Sequence, residues 1–410
     1  MQVFCSVLSL TFIYLALCSQ ILGLTSETKD VLPPPTGTYG IGRISFHWFD
    51  SSRFEAMSKD PKARRELMVH LYYPAKPNSK GLQAPYFPDV ELMRDYEEKN
   101  FGKNFMREEY GDAYDSIFTA RTHTIARAQL SGAQRKYPVL VFLPGLGMKV
   151  FIYTAIIEEL VSHGYVVAAV EPSYDSSVVV FPDGRIIEES DNWNVYISGA
   201  PDAAARFHLE RINVNAADNS FVLNQLEKLN AGNLKSSAVS FKGRLDVRHA
   251  GALGHSQGGL AARRSCQIDK RWKACVNLDG GLNDKEIEMM SRDAIHVPFM
   301  LMTGFFTNEK FLATQKAQFR DLQATGYKVS VNAAGFGHFI YYDLELPEAR
   351  KEASRNGLST LQRRRDTQII RDFTLAFFNQ HLLNQKKSLL GKQTKDYPEV
   401  SVERFGNITP

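Results

Sequence analysis

Short, unbroken apolar runs alternate along this chain with longer stretches in which apolar residues recur every three or four positions. The runs at 137–145 (YPVLVFLPG) and 164–172 (GYVVAAVEP) present no polar face, as expected of strands covered on both sides. Strands are also expected at 249–254, 274–278, 297–303 and 327–333. GRISFHWFD (42–50) and RELMVHLYYPA (65–75), rich in aromatic and β-branched residues, add two more. Helices are expected at 150–162, 202–230, 257–267, 308–324 and 361–384; in the last, Ile369, Ile370, Phe373 and Phe377 share one face and read as core. SSVVVFPDGRIIEE (176–189) reads as a hairpin turning at Asp183-Gly184. Strands alternating with helices predict an α/β fold, a mostly parallel central sheet with helices on both faces. No repeat or linker divides the pattern. One domain is expected over 39–390, after a flexible leader at 25–38 and before a C-terminal tail at 391–410.

The chain has 410 residues, 44% hydrophobic and 23% charged, enough for a self-supporting core. A net charge of +4, with no basic block interleaved with aromatics, gives no reason to expect nucleic acid as a partner. From Val3 to Leu24 no residue is charged. Residues 1–24 are therefore expected to be a signal peptide, cleaved between Cys18 and Ser26, which makes the protein secreted; the alternative is a membrane anchor kept at 3–24. Of the four cysteines, Cys266 and Cys275 lie beyond that region, and one bridge or two buried thiols both remain open. No His, Cys or carboxylate spacing suits zinc and no calcium loop is visible, so neither a metal nor a cofactor is expected.

The chemistry is concentrated at Gly254-His255-Ser256-Gln257-Gly258, between an expected strand and an expected helix. This G-x-S-x-G pattern is a nucleophile elbow, a turn so sharp that its flanking residues must lack bulk, with the serine Oγ held out of the sheet. A serine nucleophile needs a base and an acid that orients the base; in this architecture they follow the serine in the order acid, then histidine. His338, in the glycine-containing stretch AAGFGHFIYYD, is the candidate base. His296 precedes a strand, at the wrong edge of the sheet, and His381 lies within the last helix. Two carboxylates end strands late in the chain, Asp279 and Glu309; Asp279 terminates its strand directly, while Glu309 reads as a helix start. The oxyanion of a tetrahedral intermediate would be met by the N–H of Gln257 and by an N–H from Pro144-Gly145-Leu146-Gly147, best that of Leu146.

Six segments carry a resemblance to a known family: PTGTYGIGRISFHWFD, RRELMVHLYYPA, YPVLVFLPGLG, LVSHGYVVAAVEPSYDSS, GHSQGG and VNLDGG. Through them, over residues 33 to 385, the chain resembles the plasma-type platelet-activating factor acetylhydrolases, also called lipoprotein-associated phospholipases. The resemblance implies an α/β-hydrolase fold and calcium-independent hydrolysis of short or oxidised acyl chains from phospholipids such as platelet-activating factor. It places the family nucleophile on Ser256, its acid on Asp279, its histidine on His338 and its oxyanion donors on Leu146 and Gln257. Family members commonly read His-Gly-Leu-Gly where this chain has Pro144-Gly145-Leu146-Gly147. The substrate is expected to be a lipid or other ester. Residues 86–106, through Phe87, Leu92, Met93, Phe101, Phe105 and Met106, are the expected route to weak contact with a membrane or lipoprotein surface, their alternative being a helix that covers the core. The rival activity is a broad carboxylesterase or polyester hydrolase. A non-catalytic binding protein on the same scaffold is the other reading, against which stands the presence of all three triad residues.

Overall fold

The apolar runs form the middle of one wide sheet. A computed structural model describes residues 32–102, 120–234, 238–305, 307–333, 336–343, 360–385, 388–391 and 395–406. Residues 1–31, with the expected signal peptide, and residues 407–410 lie outside the described residues. In chain order the sheet takes β1 (Gly40–Phe54), β2 (Arg64–Ala75), β3 (Gln83–Pro85), β4 (Arg121–Ala126), β5 (Tyr137–Leu143) and β6 (Val166–Pro172). A separate hairpin, β7 (Val178–Val180) and β8 (Ile186–Glu188), turns through Asp183-Gly184. The sheet resumes with β9 (Leu245–His255), β10 (Trp272–Leu278), β11 (Phe299–Gly304), β12 (Gly326–Val331) and β13 (Val400–Phe405).

Strand order is β13-β12-β11-β10-β9-β5-β6-β2-β1-β4-β3. From β12 to β6 every pairing is parallel; β13, β2 and β3 join antiparallel. β5 and β6 lie near the centre and every residue in them is buried, which is why their sequences show no alternation. The described α-helices are α1 (Val90–Phe101), α2 (Thr154–Ser162), α3 (Asn194–Ser198), α4 (Pro201–Ala231), α5 (Gln257–Ile268), α6 (Asp284–Met289), α7 (Glu309–Ala317) and α8 (Thr360–Leu382). The two faces of the sheet build two cores. Ile157 and Leu160 of α2 pack with Phe373 and Phe377 of α8 on one face. Val222 and Leu226 of α4 pack with Ala261 and Ala262 of α5 on the other.

Four expectations change. The helix expected over 308–324 stops at Ala317, because Gln318, Phe319 and Arg320 donate to carbonyls three residues back and wind into tight turns. The Gln318 carbonyl is then free to accept from Arg263 Nε, 2.9 Å away. The expected tail at 391–410 holds β13, which covers the edge of β12 with Val402 opposite Val329. Within the expected leader, residues 32–38 are pinned: Leu32 is buried, Thr36 bonds Glu159, and the Gly37 N–H donates to Ser162 Oγ at 3.0 Å. Finally, β4 was not expected. Its threonines are buried because their hydroxyls are satisfied, Thr122 by the Ala84 carbonyl and Thr124 by Glu158. Between the two alternatives for the cysteines, Cys266 and Cys275 form a disulfide that joins α5 to β10.

A buried ion cluster ties α4 to the sheet. Arg65, 1% exposed, donates to Asp218 and Glu55, both at 2.6 Å, and to the Ser173 carbonyl at 2.8 Å. Arg211 holds Asp175 at 2.6 Å and Arg53 a second oxygen of Asp218 at 2.7 Å. The Asp175 carbonyl in turn accepts the Gly147 N–H at 2.8 Å, so the cluster steadies the loop after β5. Arg65→Met would leave buried carboxylates short of a partner and is expected to lower the unfolding free energy by about 3–5 kcal/mol in urea denaturation at neutral pH. Burial pushes the Asp218 carboxyl up, but the charges of Arg65 and Arg53 hold it below its ordinary value. The stabilisation is therefore present above the unfolded value of about 3.9 and is lost as pH falls through the lower folded value. The difference between variant and wild type should shrink on acidification.

Candidate active site

β9 ends at His255 and α5 begins at Gln257, so one residue, Ser256, makes the whole turn. Its φ of 53° and ψ of −122° are unfavourable for a residue with a Cβ, the strain of a nucleophile elbow. Glycine is required on both sides. A methyl group on Gly254 would overlap the Gly258 backbone and the Leu143 carbonyl, and one on Gly258 would overlap the carbonyls of Leu143 and Pro144. The Ser256 N–H is tied to the Leu278 carbonyl of β10 at 2.8 Å, which fixes the turn to the strand that leads into Asp279.

Asp279 leaves β10 with φ of 55°, a conformation that aspartate tolerates better than most residues. The turn is clamped by Asn277, whose amide accepts the Gly280 N–H at 2.7 Å and donates to the Gly280 carbonyl at 3.0 Å. Asp279 Oδ2 lies 2.8 Å from His338 Nδ1, and Oδ1 accepts the Thr303 hydroxyl at 2.5 Å. Gln315 Nε2 donates to Thr303 Oγ1 at 3.0 Å. His338 opens a short 3-10 turn, His338–Tyr341, and its Nε2 lies 3.0 Å from Ser256 Oγ. With a carboxylate as acceptor at Nδ1, that nitrogen carries the proton, and Nε2 is left to accept the serine hydroxyl. The imidazole side chain is 40% exposed and open to a substrate.

The loop 144–148 faces the elbow. Pro144 has no N–H, Gly145 donates to Tyr153 Oη at 3.1 Å, Gly147 to the Asp175 carbonyl and Met148 to the Gly145 carbonyl. That leaves the Leu146 N–H, which makes no hydrogen bond among the described residues. The same holds for the N–H of Gln257 at the start of α5, where the helix dipole favours negative charge. Ser256, Asp279, His338, Leu146 and Gln257 are therefore gathered at the carboxyl-terminal edge of the sheet.

The structure separates the other candidates from this site. Glu309 is exposed in the first turn of α7, behind the N-cap Asn308. His296 is exposed before β11. His381 packs against Tyr327 and Phe377, and burial pushes its imidazole down to about 4. Of the apolar residues in 86–106, Phe87 and Met93 are buried, Met93 against Val178. Only Leu92, at 39%, is exposed among those whose side chains are described, so α1 covers the core and the expected lipid contact through Phe87 and Met93 is corrected. Phe105 and Met106 lie outside the described residues. Thr303 and Gln315 were not foreseen. Thr303 lies at the end of the strand after the acid, and nothing local marks its hydroxyl as aimed at Asp279.

Comparisons with known proteins bear on the family and the fold. A family model described as platelet-activating factor acetylhydrolase, isoform II, matches residues 24–382. A probable 1-alkyl-2-acetylglycerophosphocholine esterase of Arthroderma benhamiae is 24% identical over 94% of this chain and 97% of its own. Platelet-activating factor acetylhydrolases of Cavia porcellus and Bos taurus are 27% and 28% identical; the matches span 62% and 68% of this chain but only 57% and 60% of theirs. Among solved structures, a ferulic acid esterase from Streptomyces cinnamoneus superposes with a TM-score of 0.68 at 26% identity, over 90% of this chain and 98% of that one. The match over most of the chain, on a parallel sheet with helices on both faces, means that this protein belongs to the platelet-activating factor acetylhydrolase, isoform II, family.

Proposed function

We propose that this chain is a serine-dependent carboxylic ester hydrolase that removes short or oxidised acyl groups from phospholipids of the 1-alkyl-2-acetylglycerophosphocholine type. The observation that carries the reading is the unbroken row Asp279–His338–Ser256, with contacts of 2.8 and 3.0 Å, beside two backbone N–H groups that make no hydrogen bond among the described residues. Ser256 Oγ attacks the ester carbonyl carbon as its proton passes to His338 Nε2. The carbonyl oxygen, now negative, accepts from the N–H groups of Leu146 and Gln257. The intermediate collapses, His338 returns the proton to the departing alcohol, and the acyl group stays on Ser256. Water, deprotonated by His338, then attacks the acyl carbon; the acid leaves and the serine is restored. Asp279 keeps the imidazole in the tautomer that each step needs, and Thr303 holds Asp279 in turn.

The phospholipid substrate is supported by the names of the family and the Arthroderma benhamiae relative. A second reading, a broad carboxylesterase, is favoured by the similarity to a ferulic acid esterase. Glycerophosphocholines with sn-2 acyl chains of graded length, assayed beside a feruloyl ester and p-nitrophenyl acetate, separate the two. The expected result is the highest kcat/KM for short sn-2 chains, falling steeply as the chain lengthens. Preference for the feruloyl ester would move the assignment to the second reading. Secretion is proposed to follow from residues 1–24, and contact with a lipid surface is proposed to be weak, given the burial of Phe87 and Met93.

A further inference from the structure

The residue before the nucleophile is a histidine, and it takes no part in the chemistry described above. His255 is fully buried and lies between the two halves of the site. Its ring centroid is 4.5 Å from that of His338 and 5.1 Å from that of Tyr341, with Tyr342 edge-on at 5.6 Å. Nε2 is 2.9 Å from the His338 carbonyl oxygen, and Nδ1 is 2.9 Å from Tyr153 Oη. Tyr153, also fully buried, accepts the Gly145 N–H at 3.1 Å.

Only one proton arrangement satisfies all three contacts. A backbone carbonyl can only accept, so His255 Nε2 carries a proton. Burial first, and then the neighbouring His338, hold the His255 imidazole well below the ordinary histidine range, so it is neutral and Nδ1 is an acceptor. Tyr153 must then donate to Nδ1, which leaves its oxygen lone pairs for Gly145. The chain runs in one direction: Gly145 N–H to Tyr153, Tyr153 O–H to His255, His255 Nε2–H to the His338 carbonyl. It begins one residue before Leu146, whose N–H faces the oxyanion, and ends on the backbone of the base. The packing is as close as the bonding. A Cβ on Gly145 would lie 3.1 Å from His255 Nδ1, 3.3 Å from Ser256 Cβ and 3.4 Å from Tyr153 Oη.

We infer that His255 and Tyr153 are positioning residues that set the distance between the oxyanion loop and His338 across Ser256. The inference rests on the esterase reading for its catalytic consequence, but the proton arrangement it requires does not. In ordinary terms the pair is a rigid strut. A substrate oxygen that becomes an oxyanion moves by a fraction of an ångström, and only donors already in place bind the transition state better than the ground state. Loosening the strut should therefore cost kcat and spare KM.

Tyr153→Phe removes one hydroxyl and no volume, and His255→Phe keeps a ring while removing both bonds. For Tyr153→Phe, kcat with p-nitrophenyl butyrate is expected to fall roughly 10- to 100-fold with KM within about twofold of wild type. The affinity of an alkyl trifluoromethyl ketone, which forms a tetrahedral adduct with the serine, should weaken by the same factor as kcat/KM. His255→Phe should lose more on both measures, and Tyr153→Phe carries the test alone if His255→Phe does not fold. A kcat for Tyr153→Phe within about twofold of wild type, or a fall in kcat with ketone affinity unchanged, overturns the inference. Nitrogen-15 NMR of histidine-labelled wild type reads the proton directly: His255 should stay neutral, with the proton on Nε2, when the pH is lowered through the ordinary histidine value of about 6.5. A proton on Nδ1 overturns the inference whatever the kinetics. A wild type inert to esters and to a fluorophosphonate would instead remove the esterase reading, and the NMR tautomer alone would then decide the strut.

Discussion

Ser256→Ala is expected to reduce ester hydrolysis by at least about 10³-fold, because the members of a triad act as a unit. His338 Nε2 would keep its exposure but lose the hydroxyl that it activates, and the oxyanion donors would act on a carbonyl that only free water attacks. The fold should tolerate the change. Alanine has the same backbone strain as serine at φ 53°, and the hydroxyl bonds His338, so the loss is one hydrogen bond worth about 1 kcal/mol. Thermal unfolding within a few degrees of wild type, together with loss of turnover and of fluorophosphonate labelling, is the expected set of results. Activity that persists in a folded Ser256→Ala protein would remove the nucleophile assignment and with it the proposed mechanism.

The elbow was legible in the sequence because its constraint is local. Gly254 and Gly258 are dictated by atoms of the same turn and of the adjacent loop end at Leu143 and Pro144, so a five-residue pattern is enough to signal the geometry. Asp279 and His338 were legible for a different reason: Asp279 follows directly on β10 and His338 lies in the loop after β12, and strand ends are where such a sheet collects its chemistry. What escaped was set by contacts between distant residues. Thr303 looks like any strand terminus until its hydroxyl is found 2.5 Å from Asp279, 24 residues earlier. Tyr153 looks like one more apolar residue of a helix start until its hydroxyl is found between Gly145 and His255.

The misread elements share that cause. The helix expected through 324 breaks at 317 because Gln318 is recruited to the Asp279 turn, where its Nε2 donates to the Gly280 carbonyl at 2.8 Å. Met93 reads as lipid-facing because α1 mixes apolar and charged residues, and only the partner surface at Val178 tells which face is inside; Phe87, ahead of α1, is buried against Tyr86 and Phe151. Residues 32–38 and β13 were read as loose ends because each is a short segment whose order is supplied entirely by what it docks on: α2 for the first and β12 for the second. Propensity and pattern describe a segment's own preferences, and tertiary contact decides where those preferences are weak.

Asp279→Asn is expected to lower kcat by about 10⁴-fold while leaving the shape of the site almost unchanged. The amide can place an N–H₂ group against His338 Nδ1. That contact favours the tautomer with the proton on Nε2, which cannot accept from Ser256. Thr303 sharpens the expectation. Its hydroxyl donates to Asp279 Oδ1 and accepts from Gln315, so the asparagine oxygen is the better match on that side and the amide nitrogen is turned towards His338, the unproductive direction. Thr303→Val in the Asp279→Asn background should then recover part of the loss, because the amide is released to turn its oxygen to the imidazole. Glu309→Gln is the control: its side chain is exposed in the first turn of α7, where losing the helix-dipole interaction is worth under about 1 kcal/mol and no contact with His338 is lost. The measurement is kcat for both variants on one ester, each first shown folded by thermal unfolding, since Asp279 is itself largely buried. A crippled Glu309→Gln beside a near-normal Asp279→Asn would move the acid to the later strand and leave Ser256 and His338 standing. A crippled Asp279→Asn that Thr303→Val does not improve would keep the acid where it is and remove the argument that Thr303 dictates which way the amide turns.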